Sequence, residues 1–220
     1  MTRKLAYALV AGSFLLGLTF VAAEPSNLAQ KKQELIRYHD SGAYNREISN
    51  VIAQSMRYLQ LQLSHKNKLS KKPAIVLDID ETALSNYPHM VNLGFGGTLE
   101  QIHEDETQGV DPVIAPTLKL YRFAKEHHVA VFFVTGRQEV ERDATEKNLQ
   151  QAGYYNWDGL YLRTAHFEKT TAVNYKTAVR KQITDKGYDI LLNVGDQKSD
   201  LAGGYAKKGF KIPNPYYFIA

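Results

Sequence analysis

The chain has 220 residues, with 27 Lys+Arg against 23 Asp+Glu, a net charge of +4 and an isoelectric point near 9.0. A content of 44% hydrophobic and 23% charged residues is that of an ordinary globular protein long enough to bury a core, which excludes a collagen-like, disordered or multi-span membrane chain. With no cysteine, disulfides, thiolate metal sites and cysteine nucleophiles are excluded together.

In chain order, Arg3-Lys4 precede an uncharged stretch from Leu5 to Ala23, which ends in Val21-Ala22-Ala23 and is followed by Glu24-Pro25. A short basic region, an apolar run and small residues before a cleavage point form the pattern of a secretory signal peptide. Residues 1–23 are therefore expected to be removed, leaving a secreted or periplasmic protein without stable membrane association. The rival is an uncleaved anchor, since the run is just long enough to span a bilayer, but Gly12, Ser13, Gly17 and Thr19 dilute it. Removing the segment takes away Arg3 and Lys4 and no acid, so the basic excess is partly a property of the leader and argues little for a nucleic-acid polymer as partner.

Residues 24–72 read as a helical extension. Ile48, Ile52, Met56, Leu59 and Leu63 recur at three- and four-residue steps and put one apolar stripe on a helix. A shorter helix is expected over Leu28 to Tyr38, with Asp40-Ser41-Gly42 between the two. The stripe is expected to pack on the main domain, with a partner-binding helix as the alternative.

After Lys71-Lys72-Pro73 the texture changes. Ala74 to Leu77, Val129 to Val134, Leu160 to Leu162 and Ile190 to Val194 are apolar runs of strand length, the kind buried on both faces of a parallel sheet. Helical patterns over Pro116 to His127, Glu139 to Ala152 and Thr171 to Lys186 alternate with them. The fold class is therefore α/β, a doubly wound, mostly parallel sheet over residues 73–220, in one domain with the helical extension. Residues 86–112, with Gly94, Gly96, Gly97 and Gly109, are expected to form a small irregular insertion over the site.

In such a sheet, ligands bind beyond the carboxyl ends of the strands. Here the first run ends in Asp78-Ile79-Asp80-Glu81-Thr82, the second in Thr135-Gly136-Arg137, and the fourth in Gly195-Asp196-Gln197-Lys198-Ser199-Asp200. Each motif alone reads as a solvated turn. Converging carboxylates on buried strands, however, would repel unless a cation or protonation compensated them. An all-oxygen cluster suits a hard cation, Mg²⁺ before Zn²⁺.

These motifs, in this order, resemble the haloacid dehalogenase (HAD) superfamily of phosphohydrolases. The likeness is nearer to its secreted acid phosphatases, the class B or subfamily IIIB-like group that includes plant vegetative storage proteins. It extends from Ile75 through Asp78-Ile79-Asp80-Glu81-Thr82 with Ser85-Asn86, Thr135-Gly136-Arg137, Tyr175-Lys176 with Arg180, and Gly195-Asp196 with Asp200, to the closing Phe210-Lys211-Ile212-Pro213-Asn214-Pro215. Lys198 departs from the aromatic residue that plant relatives tend to carry.

The resemblance implies a HAD-like fold and a Mg²⁺-dependent acid phosphatase hydrolysing small phosphate monoesters. Asp78 would attack phosphorus to form an aspartyl phosphate. Asp80 would be the general acid and base, and burial beside Asp78 is expected to raise its pKa. Thr135 and Lys176 would donate to phosphoryl oxygens, with Gly136 and Arg137 beside them, and Thr82 would brace the nucleophile loop. Asp78, the main-chain carbonyl of Asp80, and Asp196 would hold Mg²⁺, with Asp200 as a further ligand or outer acceptor.

Only the resemblance lifts Lys176 above its neighbours Lys169, Lys181 and Lys186. Arg137 either binds substrate or caps the following helix. Tyr87, with Phe95, Tyr216 and Tyr217, either forms a stacking surface for substrate or packs the insertion on the domain. The seven histidines show no metal-ligand pairing. A phosphotransferase using the same intermediate and a storage protein with a vestigial site are the alternatives, and a homo-oligomer is compatible with the sequence.

Overall fold

A computed structural model describes residues 24–64, 71–167 and 169–219. The expected signal peptide, residues 1–23, lies outside the described residues. No helix among the described residues is long and apolar enough to cross a membrane.

Two helices come first, α1 (Leu28–Asp40) and α2 (Ala43–Ser64). The Asn27 side chain accepts from the main-chain N–H groups of Ala29 and Gln30, which satisfies two otherwise unpaired donors at the start of α1. α1 has no buried residue, whereas α2 buries Tyr44, Ile48, Ile52, Ser55 and Leu59. Each fully buried aliphatic side chain contributes about 1.5–3 kcal/mol, so α2 carries the attachment of the extension and α1 rides on it. The expected stripe therefore packs on the main domain.

A single five-stranded sheet follows, with spatial order β3-β2-β1-β4-β5 and every pairing parallel. Its strands are β1 (Lys72–Leu77), β2 (Ala130–Gln138), β3 (Gly159–Arg163), β4 (Tyr188–Gly195) and β5 (Ala206–Lys211). Strand side chains alternate between faces. Ile75, Leu77, Val131 and Phe133 join a core with α2 and α5 (Ala115–Glu126), while Ala74, Val76, Phe132 and Val134 join a second core with Tyr175, Val179 and Ile183 of α7 (Ala172–Asp185). Helices on both faces explain why the central strands read as unbroken apolar runs.

Two expectations need correction. The insertion is helical, not irregular: α3 (Tyr87–Asn92) and α4 (Leu99–Gln108) flank the glycine-rich turn, and a reciprocal Thr98–Gln101 capping box starts α4. Gly109, at φ 62°, ends it in the left-handed region that glycine adopts without strain. The second correction is β5, which the hydrophobic pattern did not predict. Its lysines Lys207, Lys208 and Lys211 are exposed and only Phe210 is buried, which is how an edge strand discourages pairing with another chain. The pattern over Glu139 to Ala152 resolves into a short 3₁₀ turn and α6 (Arg142–Gln151), and a single turn, α8 (Lys198–Leu201), follows β4.

Candidate active site

The carboxyl end of β1 turns at once. Ile79 O accepts from the N–H groups of Thr82, Ala83 and Leu84 at 3.1, 2.7 and 2.9 Å, and Glu81 sits at φ 50° within this turn. The Asp78 N–H bonds to Val194 O at 3.0 Å, which fixes the nucleophile candidate beside the end of β4. From β4, Gly195 leads to Asp196 and α8 brings Asp200 back to the same point.

Asp78, Asp196 and Asp200 are all buried, and each offers an oxygen within 4.8 Å of the others. Lys176, from α7, enters between them: its Nζ lies 2.5 Å from Asp78 Oδ1 and 2.6 Å from Asp200 Oδ1. Of its rivals, Lys181 pairs with Asp185 at the surface, Lys186 lies over the Tyr161 ring, and Lys169 is exposed. Thr82 Oγ1 stands 3.2 Å from Asp78 Oδ2 and 3.4 Å from Asp196 Oδ1.

One ammonium does not balance three carboxylates. Burial pushes Asp78 well above the usual carboxylate range, with Lys176 opposing and Asp200, Asp196 and Asp80 adding to the rise. Asp196 is pushed up to about 7, first by burial and then by Asp200. Both shifts come first from burial, and the neighbouring carboxylates add to them. A buried donor set made only of carboxylate oxygens fits a hard divalent cation, and thiolates are absent from the whole chain.

Asp80 belongs to a second network. Its Oδ1 accepts from Arg137 Nη2 at 2.7 Å, Arg137 Nε at 3.0 Å and Asn86 Nδ2 at 3.0 Å, while Thr135 Oγ1 donates to Oδ2 at 3.3 Å. Burial pushes this carboxyl up, but the Arg137 charge and the hydrogen bonds from Arg137 and Asn86 outweigh it, and the net pKa is lowered. The expected rise is thus corrected by a cation that sequence separation conceals.

Arg137 is turned inward, onto side chains of the insertion and of α6. It is 1% exposed, and besides Asp80 its Nη2 donates to Asp111 Oδ2 at 2.9 Å and its Nη1 to Thr145 Oγ1 at 3.4 Å. Asp111 is held in turn by Asn148, which donates to its carbonyl and accepts from its N–H, and by His89 Nε2 at 3.3 Å. Gly136, between Thr135 and Arg137, is exposed, with open space where a Cβ would stand.

Tyr87 packs between the insertion and α1. Its ring stacks on His39 at 3.4 Å between centroids, its hydroxyl donates to Asp40 Oδ1 at 3.0 Å, and Tyr216 stands 5.4 Å away. These contacts join the insertion to α1, the arrangement of the packing alternative.

Several site residues had no assigned role in the sequence. Glu81 is fully buried and accepts from the Asn86 N–H at 2.6 Å and from Tyr217 Oη at 2.7 Å; burial lifts it to about 8. Glu106, from α4, is lifted to about 10, first by burial and then by Asp80. Gln197 and Asn214 both donate to Asp196 Oδ2, at 2.6 and 2.7 Å. The only signals were that Glu81 and Asn86 adjoin the Asp-x-Asp motif, and that Asp111 and Asn214 each precede a proline.

Three carboxylates around one lysine, at the carboxyl edge of a doubly wound parallel sheet, place the protein among the Rossmann-like folds whose ligands bind at that edge. Over residues 11–220 the chain matches the HAD superfamily, subfamily IIIB (acid phosphatase), and it belongs to that family. It is 36% identical over 148 residues to acid phosphatase 1 of Solanum lycopersicum, covering 66% of this chain and 58% of that protein. It is 38% identical over 156 residues to the stem 28 kDa glycoprotein of Glycine max, covering 67% and 61%. The chain thus spans less than two thirds of the length of either relative. The solved class C acid phosphatase of Bacillus anthracis shares the fold, with a TM-score of 0.69 at 22% identity over 87% of this chain and 86% of that one.

Proposed function

We propose that the protein is a divalent-cation-dependent phosphomonoesterase of the acid phosphatase type, hydrolysing small phosphate monoesters through a phosphorylated Asp78. The observation that carries this reading is the placement of Asp78. Its carboxylate ends β1 with Lys176 Nζ at 2.5 Å and the Asp196 and Asp200 carboxylates within 4.8 Å, inside a family whose relatives include a named acid phosphatase.

A hard cation, Mg²⁺ first, would be held by Asp78, Asp196 and the main-chain carbonyl of Asp80, with Asp200 as further ligand or outer acceptor, and when bound supplies positive charge for the phosphoryl oxygens. Asp78 attacks phosphorus in line as the ester P–O bond breaks, and the carboxyl of Asp80 gives its proton to the departing oxygen. Water then attacks the phosphorus of the acyl phosphate and loses its proton to Asp80, releasing Asp78 and inorganic phosphate. Lys176 and Thr135, which in the substrate-free site bond to Asp78 and Asp80, are the donors assigned to the phosphoryl oxygens. Export through residues 1–23 belongs to the same reading.

Phosphate release over a panel of monoesters, with and without chelator, tests it. Asp78→Asn is expected to fold and to lose turnover by at least about a thousandfold, since the amide is a poor nucleophile. Turnover within tenfold of wild type, or indifference to chelator, would sink the mechanism.

A further inference from the structure

Asp196 has two oxygens, and the protein treats them differently. Oδ2 accepts two amide donors, Gln197 Nε2 at 2.6 Å and Asn214 Nδ2 at 2.7 Å. Oδ1, on the side that faces Asp78, accepts among the described residues from the Thr82 hydroxyl, at 3.4 Å.

Both amides are fixed at their other ends by the segment that follows β5. Asn214 Oδ1 accepts from the N–H of Tyr216 at 2.8 Å and of Tyr217 at 3.4 Å, so its nitrogen must face Asp196. Gln197 Oε1 accepts from the Ile219 N–H at 3.1 Å, and its Nε2 also reaches Tyr217 O at 3.4 Å. The same segment grips the nucleophile loop, because Tyr217 Oη donates to Glu81 Oε2 at 2.7 Å. Neither amide is free to turn, and Oδ2 has its acceptor positions filled.

We propose that Asn214, assisted by Gln197, is a specificity-determining positioning residue that holds Asp196 to one-oxygen coordination and so sets a preference for Mg²⁺ over Ca²⁺. This rests on the reading of the Asp78–Asp196–Asp200 cluster as a cation site. Mg²⁺ demands near-octahedral geometry with short, single-oxygen contacts, whereas Ca²⁺ accepts larger coordination numbers and two-oxygen carboxylates. A carboxylate with Oδ2 occupied by two N–H donors has only Oδ1 to give. Releasing Oδ2 lets Asp196 rotate toward the cation with both oxygens, which costs Mg²⁺ its geometry and suits Ca²⁺. Outer hydrogen-bond partners of metal ligands carry this kind of effect, and losing one typically costs 10–100-fold in affinity.

The test is calorimetric titration of the full chain with Mg²⁺ and, separately, Ca²⁺, for wild type, Asn214→Leu and Tyr217→Phe, with thermal unfolding of each. Asn214→Leu is expected to weaken Mg²⁺ by at least about tenfold while changing Ca²⁺ less, narrowing the ratio of the two affinities. Tyr217→Phe, which loosens the segment without touching Asp196, is expected to keep the wild-type ratio. If Asn214→Leu does not fold, Gln197→Met removes the other donor and is expected to shift the ratio in the same direction. An unchanged ratio in the folded Asn214 or Gln197 variant, or an equal shift in Tyr217→Phe, overturns the assignment while leaving the cation site standing. Wild type binding neither cation overturns the cation-site reading and this inference together.

Discussion

Arg137 is a cation enclosed by protein, and its energetics follow from its partners. Taking a guanidinium out of water costs several kcal/mol, which its bonds to Asp80, Asp111 and Thr145 offset. Removing it takes away the guanidinium that bridges the Asp80 and Asp111 carboxylates. Arg137→Met is therefore expected to lower stability by about 3–5 kcal/mol, the range for breaking a buried pair. It also frees Asp80 from the charge that outweighs burial, so the Asp80 pKa rises. In the proposed mechanism Asp80 must be protonated when the leaving oxygen departs, so activity should fall as pH climbs through that pKa. In the variant the alkaline limb of kcat/KM for an alkyl monoester should move to higher pH; a limb that stays put or moves to lower pH would show that Arg137 does not govern Asp80. The residue types Asp80, Thr135 and Arg137 were legible at the strand ends because strand polarity dictates where polar cargo is delivered. The pairing of Arg137 with Asp111 was not, since it depends on how the insertion folds back over β2.

At the scale of elements, the turn from β4 into α8 brings Asp200 against the backbone. A Cβ added at Gly195 would overlap the Asp200 side chain, and Asp200 cannot retreat because Lys176 holds its Oδ1 and the Gln197 N–H, at 2.7 Å, holds its Oδ2. The apolar part of β4 is untouched by such a change. Gly195→Ala is expected to fold but to bind divalent cation at least about tenfold more weakly, with phosphate release falling in step. Wild-type cation affinity in a calorimetric titration would mean the turn has slack that its contacts do not suggest. The strands β1, β2, β3 and β4 were legible because apolar side chains must fill both faces of a covered sheet. β5, reading Ala-Lys-Lys-Gly-Phe-Lys, was not, because an edge strand is half solvent and its lysines break the pattern. The helices α3 and α4 were masked by the glycine-rich turn between them, although Thr98 and Gln101 already stood at capping-box spacing.

For the whole molecule, the buried carboxylates tie stability to pH and to cation. Asp196 is pushed up to about 7, Glu81 to about 8 and Glu106 to about 10, each chiefly by burial, and Asp78 and Asp111 move the same way. In the unfolded chain these groups titrate near about 4. Between that value and the folded values the native state binds more protons, so stability falls as pH rises. Asp80 has the opposite sign: its contribution is present above about pH 4 and is lost as pH drops through its lowered folded value. The cation-free protein should therefore be most stable on the acid side, near about pH 5, and should weaken steadily toward pH 8. A divalent cation at the proposed site would oppose the trend, because it would bind the deprotonated cluster more tightly as protons leave and stabilise the native state by mass action. Calorimetric melts at pH 5 and pH 7.5, with chelator and with saturating Mg²⁺, read both effects. The gain in Tm from Mg²⁺ should be larger at pH 7.5, and a gain of equal size at both, or a cation-free Tm that rises with pH, would show that the cluster is not protonated before the cation arrives.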